Sequence, residues 1–83
     1  MKIHIRAICP EILGALKADQ YILEDGLSAI DALTAAMELN GMESINKDTL
    51  SMLVYMKNGK HITSDTVLTD GDSLMALRPV YGG

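Results

Sequence analysis

The chemistry-bearing residues of this sequence are not grouped as an enzyme would need them. Histidine occurs only at His4 and His61 and the one cysteine is Cys9, three separate segments without the spacing of a metal site. Solvated or internally satisfied histidines and a buried, inert cysteine are the readings that fit best. There is no Ser/His/Asp order, no phosphate-cradling glycine loop and no acidic pair with an evident cleft. The eleven Asp and Glu residues are spread along turns and helix faces, where solvation and capping account for them. What remains is the final stretch, "LRPVYGG", residues 77–83. Pro79 fixes its own φ, lacks an amide hydrogen and pushes Arg78 toward extended backbone, so a strand ladder should stop there. Residues 1–79 then form the domain, and Val80, Tyr81, Gly82 and Gly83 form a tail outside the sheet. Glycine adds backbone freedom and removes side-chain bulk beside the terminal carboxylate. An enzyme would be able to thread such an end through a narrow channel, adenylate it with ATP and exchange the adenylate for a thiocarboxylate. The competing reading is plain slack, because glycine ends are common.

Such a tail needs a small scaffold, and 83 residues supply one domain and no more. A hydrophobic fraction of 48% is ample for a core, but with three Tyr, no Phe and no Trp it must be built from Leu, Ile, Val and six Met. The net charge of -4 disfavours a phosphate backbone as partner, which needs clustered cations. The sequence shows no signal peptide and no apolar run of the roughly 20 residues that cross a bilayer, so no membrane or nucleic-acid partner is expected and the location reads as cytoplasmic. With one cysteine, no disulfide forms within the chain.

The elements follow from periodicity. "KIHIRAI" alternates with Ile3, Ile5 and Ala7 on one face, and Cys9-Pro10 ends that strand. "PEILGALKADQ" connects, with a helical turn at Glu11 to Leu13, to a second strand at residues 20–24. Asp25-Gly26 breaks the pattern. Leu27, Ile30, Leu33, Ala36 and Met37 then recur at helical spacing, with Asp25 or Ser28 as cap, Asp31 in capping-box position and Asn40-Gly41 as the stop. "MESINKDTL" reads as irregular. "LSMLVYMKNGKHI" reads as a hairpin about Asn58-Gly59, a second tight turn falls at Asp70-Gly71, and "SLMALRPV" is the last strand, running to Pro79. The economical assembly is α+β: one main helix on one face of a mixed sheet of four or five strands.

Two strands are apolar on both faces. Leu74 and Ala76 oppose Met75 and Leu77 in one; Met52, Val54 and Met56 oppose Leu53 and Tyr55 in the other. A sheet covered by one helix needs a single apolar face. The second face is either partly covered by loops or is a docking patch; Met-rich surfaces adapt to several partners, which favours docking by Met75, Leu77 and their neighbours. Arg78 reads equally as a contact to an acidic partner surface or a nucleotide phosphate, or as a solvated strand-end cation.

Residues 65–83, "DTVLTDGDSLMALRPVYGG", resemble the end of the ubiquitin-like sulfur carriers, above all the small subunit of molybdopterin synthase. Asp70, Gly71, Asp72, Pro79, Val80, Gly82 and Gly83 match as they stand. The "NGK" turn, the helix after Asp25-Gly26 and the first strand fall in the same order. Tyr81 stands where that family usually has a small residue, and Arg78-Pro79 replaces a more apolar lead. The resemblance implies a β-grasp fold and a protein that is an enzyme's substrate, or at most the small subunit of a heteromeric synthase. It implies that Gly83 is adenylated by a ubiquitin-activating-like enzyme and becomes a thiocarboxylate. Gly82 clears the partners' channels, and Pro79, Val80 and Tyr81 extend into them. It also implies a sulfur acceptor such as the large subunit of molybdopterin synthase, and no cofactor of its own, ATP being used by the activating enzyme. Carriage of sulfur for thiamine or another sulfur-containing metabolite, isopeptide modification of lysines, and a plain β-grasp binding module are the alternatives.

Overall fold

The computed structural model describes residues 1–9, 12, 16–43 and 45–78. The first strand, β1 (Lys2–Ile8), buries Ile3 and Ile5 and half-buries Ala7, as its alternation predicts. The second strand, β2 (Gln20–Ile22), pairs antiparallel with it, Ile3 opposite Tyr21. It is shorter than the expected 20–24. Of the intervening connection, Ile12 is buried and its N–H donates to the Cys9 carbonyl at 3.2 Å; residues 10, 11 and 13–15 lie outside the described set.

The main helix, α1 (Ala29–Leu39), starts at Ser28, whose hydroxyl accepts the Asp31 N–H at 3.3 Å. Its next donors go to a loop: the Ala29 N–H to the Thr66 carbonyl and the Ile30 N–H to that of Ser64. It ends in a Schellman motif, with Met42 N–H donating to the Met37 carbonyl, Gly41 N–H to that of Glu38, and Gly41 at φ +74°. Asn40 adds a side-chain tie, its Nδ2 donating to the Tyr21 hydroxyl (2.9 Å) while its Oδ1 accepts from Lys17 N–H (3.0 Å). Leu33, Ala36 and Met37 are buried as the spacing predicts, Ile30 partly so.

The stretch expected to be irregular contains a short helix, α2 (Lys47–Ser51), capped by the Asn46 side chain accepting from Asp48 N–H. Five residues with only Leu50 buried are too few to reveal a helical period. Met52 is the C-cap of α2 and exposed, so it does not join the following strand as expected. That strand, β3 (Val54–Lys57), turns through Asn58 (φ +54°) and Gly59 (φ +82°) into β4 (Lys60–Ile62), two positive-φ residues of the kind a two-residue hairpin requires. The last strand is β5 (Ser73–Leu77).

The sheet has the order β2-β1-β5-β3-β4, with β5 parallel to β1 and antiparallel to β3. It is a five-stranded mixed sheet with α1 on one face, the expected α+β, β-grasp architecture. Ile3, Ile5, Tyr55, Leu74 and Ala76 of the sheet face Leu33, Ala36 and Met37 of α1, with Leu50 and Leu68 closing the core.

Candidate functional site

The Asp-Gly-Asp turn ties the start of β5 to β1 and to the hairpin. Asp70 accepts the Lys2 N–H at 2.7 Å, and Gly71, at φ +88°, donates to the Lys2 carbonyl at 2.8 Å. Asp72 is the one buried charged residue among those described, 7% exposed. Its carboxylate accepts from Thr69 N–H (2.8 Å), Thr69 Oγ1 (3.1 Å) and Asn58 Nδ2 (2.9 Å), with Lys57 Nζ at 4.0 Å. Burial alone would raise its pKa, but the Thr69 and Asn58 donors and the Lys57 charge outweigh burial and hold it below the ordinary carboxylate value of 3.8. The motif that carries the family resemblance therefore works structurally: it fixes where β5 begins and in which register.

That register decides which residues line the open face. Tyr55, Leu74 and Ala76 point into the core, so Val54, Met56, Met75 and Leu77 have the opposite parity and face away from α1. The ladder places Leu77 between Ile8 and Val54, and Met75 between Arg6 and Met56. Ile8 is 53% exposed, so this apolar surface meets solvent. Beside it a groove of about 580 Å³ is lined by His4, Arg6, Asp19, Met56, Ser73 and Met75. The sequence singled out Met75 and Leu77, and the structure puts both on this face. Ile8, Val54, Met56 and Arg6 were not assigned to it. Their signal was present in the doubly apolar strands, but parity is fixed only by knowing which of two alternating sets packs on the helix.

β5 stops at Leu77, two residues before the expected end at Pro79. Leu77 pairs with Ile8, the last residue of β1, and with Val54, the first of β3. Both flanking strands run out at that level, so β5 loses its partners before the proline is reached. A last bond, Arg78 N–H to the Ile8 carbonyl at 3.3 Å, carries the chain one residue further. Arg78 is exposed at the corner formed by Ile8, Leu77 and Val54. The candidate residues Pro79, Val80, Tyr81, Gly82 and Gly83 lie outside the described residues, as does the proposed boundary between domain and tail.

Cys9 is buried, whereas His4 and His61 are exposed, His4 on β1 opposite Ser73 and His61 on β4 opposite Met56. Among the described residues no three His, Cys, Asp or Glu side chains come together as a metal site. No described helix is long and apolar enough to cross a membrane. Inside the core, Tyr55 donates its hydroxyl to the Leu50 carbonyl at 2.7 Å; burial, with a smaller contribution from Cys9, pushes its pKa up to about 12.

The sequence matches no known protein-family description and no curated protein. Solved structures do match over the whole chain. Small archaeal modifier protein 1 of Haloferax volcanii is 14% identical at a TM-score of 0.66, covering 95% of this chain and 98% of that one. One chain of the complex of subunits 1 and 2 of molybdopterin-converting factor from Helicobacter pylori gives 24% identity and a TM-score of 0.55, covering 100% of this chain and 100% of that one. Urm1 of Trypanosoma brucei gives 15% identity and a TM-score of 0.59, covering 99% of this chain and 95% of that one. This chain therefore has the ubiquitin-like β-grasp fold that these small modifier and molybdopterin-factor proteins share.

Proposed function

We propose that this protein is a ubiquitin-like sulfur carrier, with Gly83 as the terminal residue that is adenylated and converted to a thiocarboxylate, and that the sulfur goes to molybdopterin. The observation that carries the reading is the corner at Leu77. There the central strand of a β-grasp sheet leaves the ladder beside an open apolar face, and the sequence continues as "RPVYGG". A partner that docks on Ile8, Val54, Met75 and Leu77 is then positioned to receive the residues that follow. The ubiquitin-activating-like enzyme and the acceptor need the same two things, a grip on the folded body and clearance around one carboxylate. Both therefore use one face in turn. The carrier supplies no catalytic group beyond that carboxylate: the activating enzyme brings ATP, and the acceptor brings the sulfur-free precursor.

Protein purified from its native host is the material for the test. Intact mass should contain a species heavier by one sulfur-for-oxygen exchange, and deletion of Gly82 and Gly83 should abolish it. Absence of that species when the activating enzyme is co-expressed overturns the reading. A second reading, conjugation to lysines, is favoured by the likeness to the archaeal modifier and to Urm1. It predicts Gly-Gly remnants on lysines of other proteins, and their absence argues against it.

A further inference from the structure

The groove on the open face holds polar side chains that neither reading uses. Its floor is formed by β1 and β5, which run parallel at the centre of the sheet. Ile3, Ile5 and Leu74 point into the core, so His4, Arg6, Ser73 and Met75 have the outward parity. The ladder sets His4 beside Ser73 in one row, and Arg6 beside Met75 and then Met56 in the next. Successive rows on one face lie about 7 Å apart, so the guanidinium, the imidazole and the Ser73 hydroxyl share one small region of the groove. All three side chains are exposed, and among the described residues none has a hydrogen-bond or ion-pair partner. Lys47 and Lys57, by contrast, pair with Asp31 and Asp72. A chain with eleven carboxylates and a net charge of -4 nevertheless leaves the Arg6 guanidinium unneutralised.

Toward β3 the lining becomes apolar. Met75 and Met56 stand side by side, both half-buried, and Gly59 of the hairpin closes that end without a side chain. At the β2 end lies Asp19, exposed, whose carbonyl accepts the Ile5 N–H at 2.9 Å. Its carboxylate is the one acidic group among the described lining residues. The volume of about 580 Å³ is in the range of small-ligand sites.

We propose that this groove binds a phosphate monoester of a planar heterocycle, of mononucleotide size. The phosphate lies over Arg6, His4 and Ser73. The guanidinium donates as a two-bond fork, His4 through a ring N–H and Ser73 through its hydroxyl. The ring lies on the thioethers of Met75 and Met56, polarizable groups that suit an aromatic face. Asp19 repels a second anionic group at the β2 end, which directs the ring toward the hairpin. A nucleic-acid strand is the poorer occupant, because Arg6 and His4 match one phosphate and not a run of them. An acidic peptide would use the same donors but leave the methionine pair uncovered.

The test is a titration of the isotopically labelled full chain with adenosine 5′-monophosphate at constant ionic strength, followed by amide and methionine-methyl shifts. Saturable shifts are expected at His4, Arg6, Ser73, Met56 and Met75, with a Kd below about 1 mM. Arg6→Gln, at an exposed position, should weaken binding roughly tenfold with the remaining spectrum in place. Asp19→Asn should tighten it severalfold, a gain that damage to the fold would not produce. Inorganic phosphate alone and adenosine alone should each bind roughly tenfold more weakly than the monophosphate. No saturation by about 5 mM overturns the proposal. So do equal binding by Arg6→Gln, shifts that avoid the groove, or inorganic phosphate binding as tightly as the nucleotide, which would make the site one for an adventitious ion only.

Discussion

Asp72 shows how a single side chain organises the start of the strand that leads, at its other end, to the proposed tail. Its carboxylate joins the Thr69 turn, the Asn58 hairpin and the start of β5, and Asn58 in turn accepts the Ser73 N–H at 2.8 Å. Because its folded pKa is lowered, its contribution to stability is present above the unfolded value near 3.8 and is lost as pH falls through the folded value. Asp72→Asn places an amide donor against Thr69 donors and should cost about 1–3 kcal/mol at neutral pH by urea denaturation. It should also flatten the acid limb, and an unchanged limb would remove Asp72 as its origin. The sequence made Asp72 visible as part of a turn motif but not as a buried acceptor of three hydrogen bonds. Those bonds join residues 3 and 14 positions away in the chain, which no local pattern records.

Strands and helices were legible where a period ran long enough. The seven residues of β1 and eleven of α1 show theirs, and Asn58-Gly59 announced the hairpin. At Gly59 a Cβ would meet nothing within 4 Å, so Gly59→Ala should cost about 1 kcal/mol from φ +82° alone, measured as a drop in chemical-denaturation midpoint. α2 was missed because its identity is tertiary: Leu50 packs into the core and Tyr55 reaches back to the Leu50 carbonyl. Tyr55→Phe leaves that carbonyl without its donor and should cost about 1–2 kcal/mol. It carries a pH signature too. The folded pKa near 12 lies above the ordinary 10.0, so wild-type stability declines as pH rises from 10.0 toward 12, and the Phe variant should lack that decline. The end of β5 was misplaced by two residues for a similar reason, since it is set by where Ile8 and Val54 end rather than by Pro79.

At the scale of the whole molecule, one sheet serves two opposed faces. Inward parity, Tyr55, Leu74 and Ala76, stabilises the fold; outward parity, Val54, Met56, Met75 and Leu77, is half-buried and contributes less because none of the described helices packs over it. The two sets alternate along the same strands, so neighbouring substitutions should have opposite consequences. Ala76→Glu puts a carboxylate into the core, where its desolvation is uncompensated, and should unfold the chain. Met75→Glu, one residue away, places a carboxylate on the open face near Arg6 and should change stability by less than about 0.5 kcal/mol. If that face grips the activating enzyme, Met75→Glu together with Leu77→Glu should leave the unfolding midpoint within that margin yet lower the yield of modified C-terminus. Desolvating two carboxylates against an apolar partner costs several kcal/mol, enough to reduce complex formation by more than about a hundredfold. The readouts are denaturation of each variant and intact mass after incubation with the activating enzyme and ATP. Normal stability with normal modification would place the grip elsewhere on the molecule. Lost stability would mean that the outward parity is buried in solution, and that something covers the face.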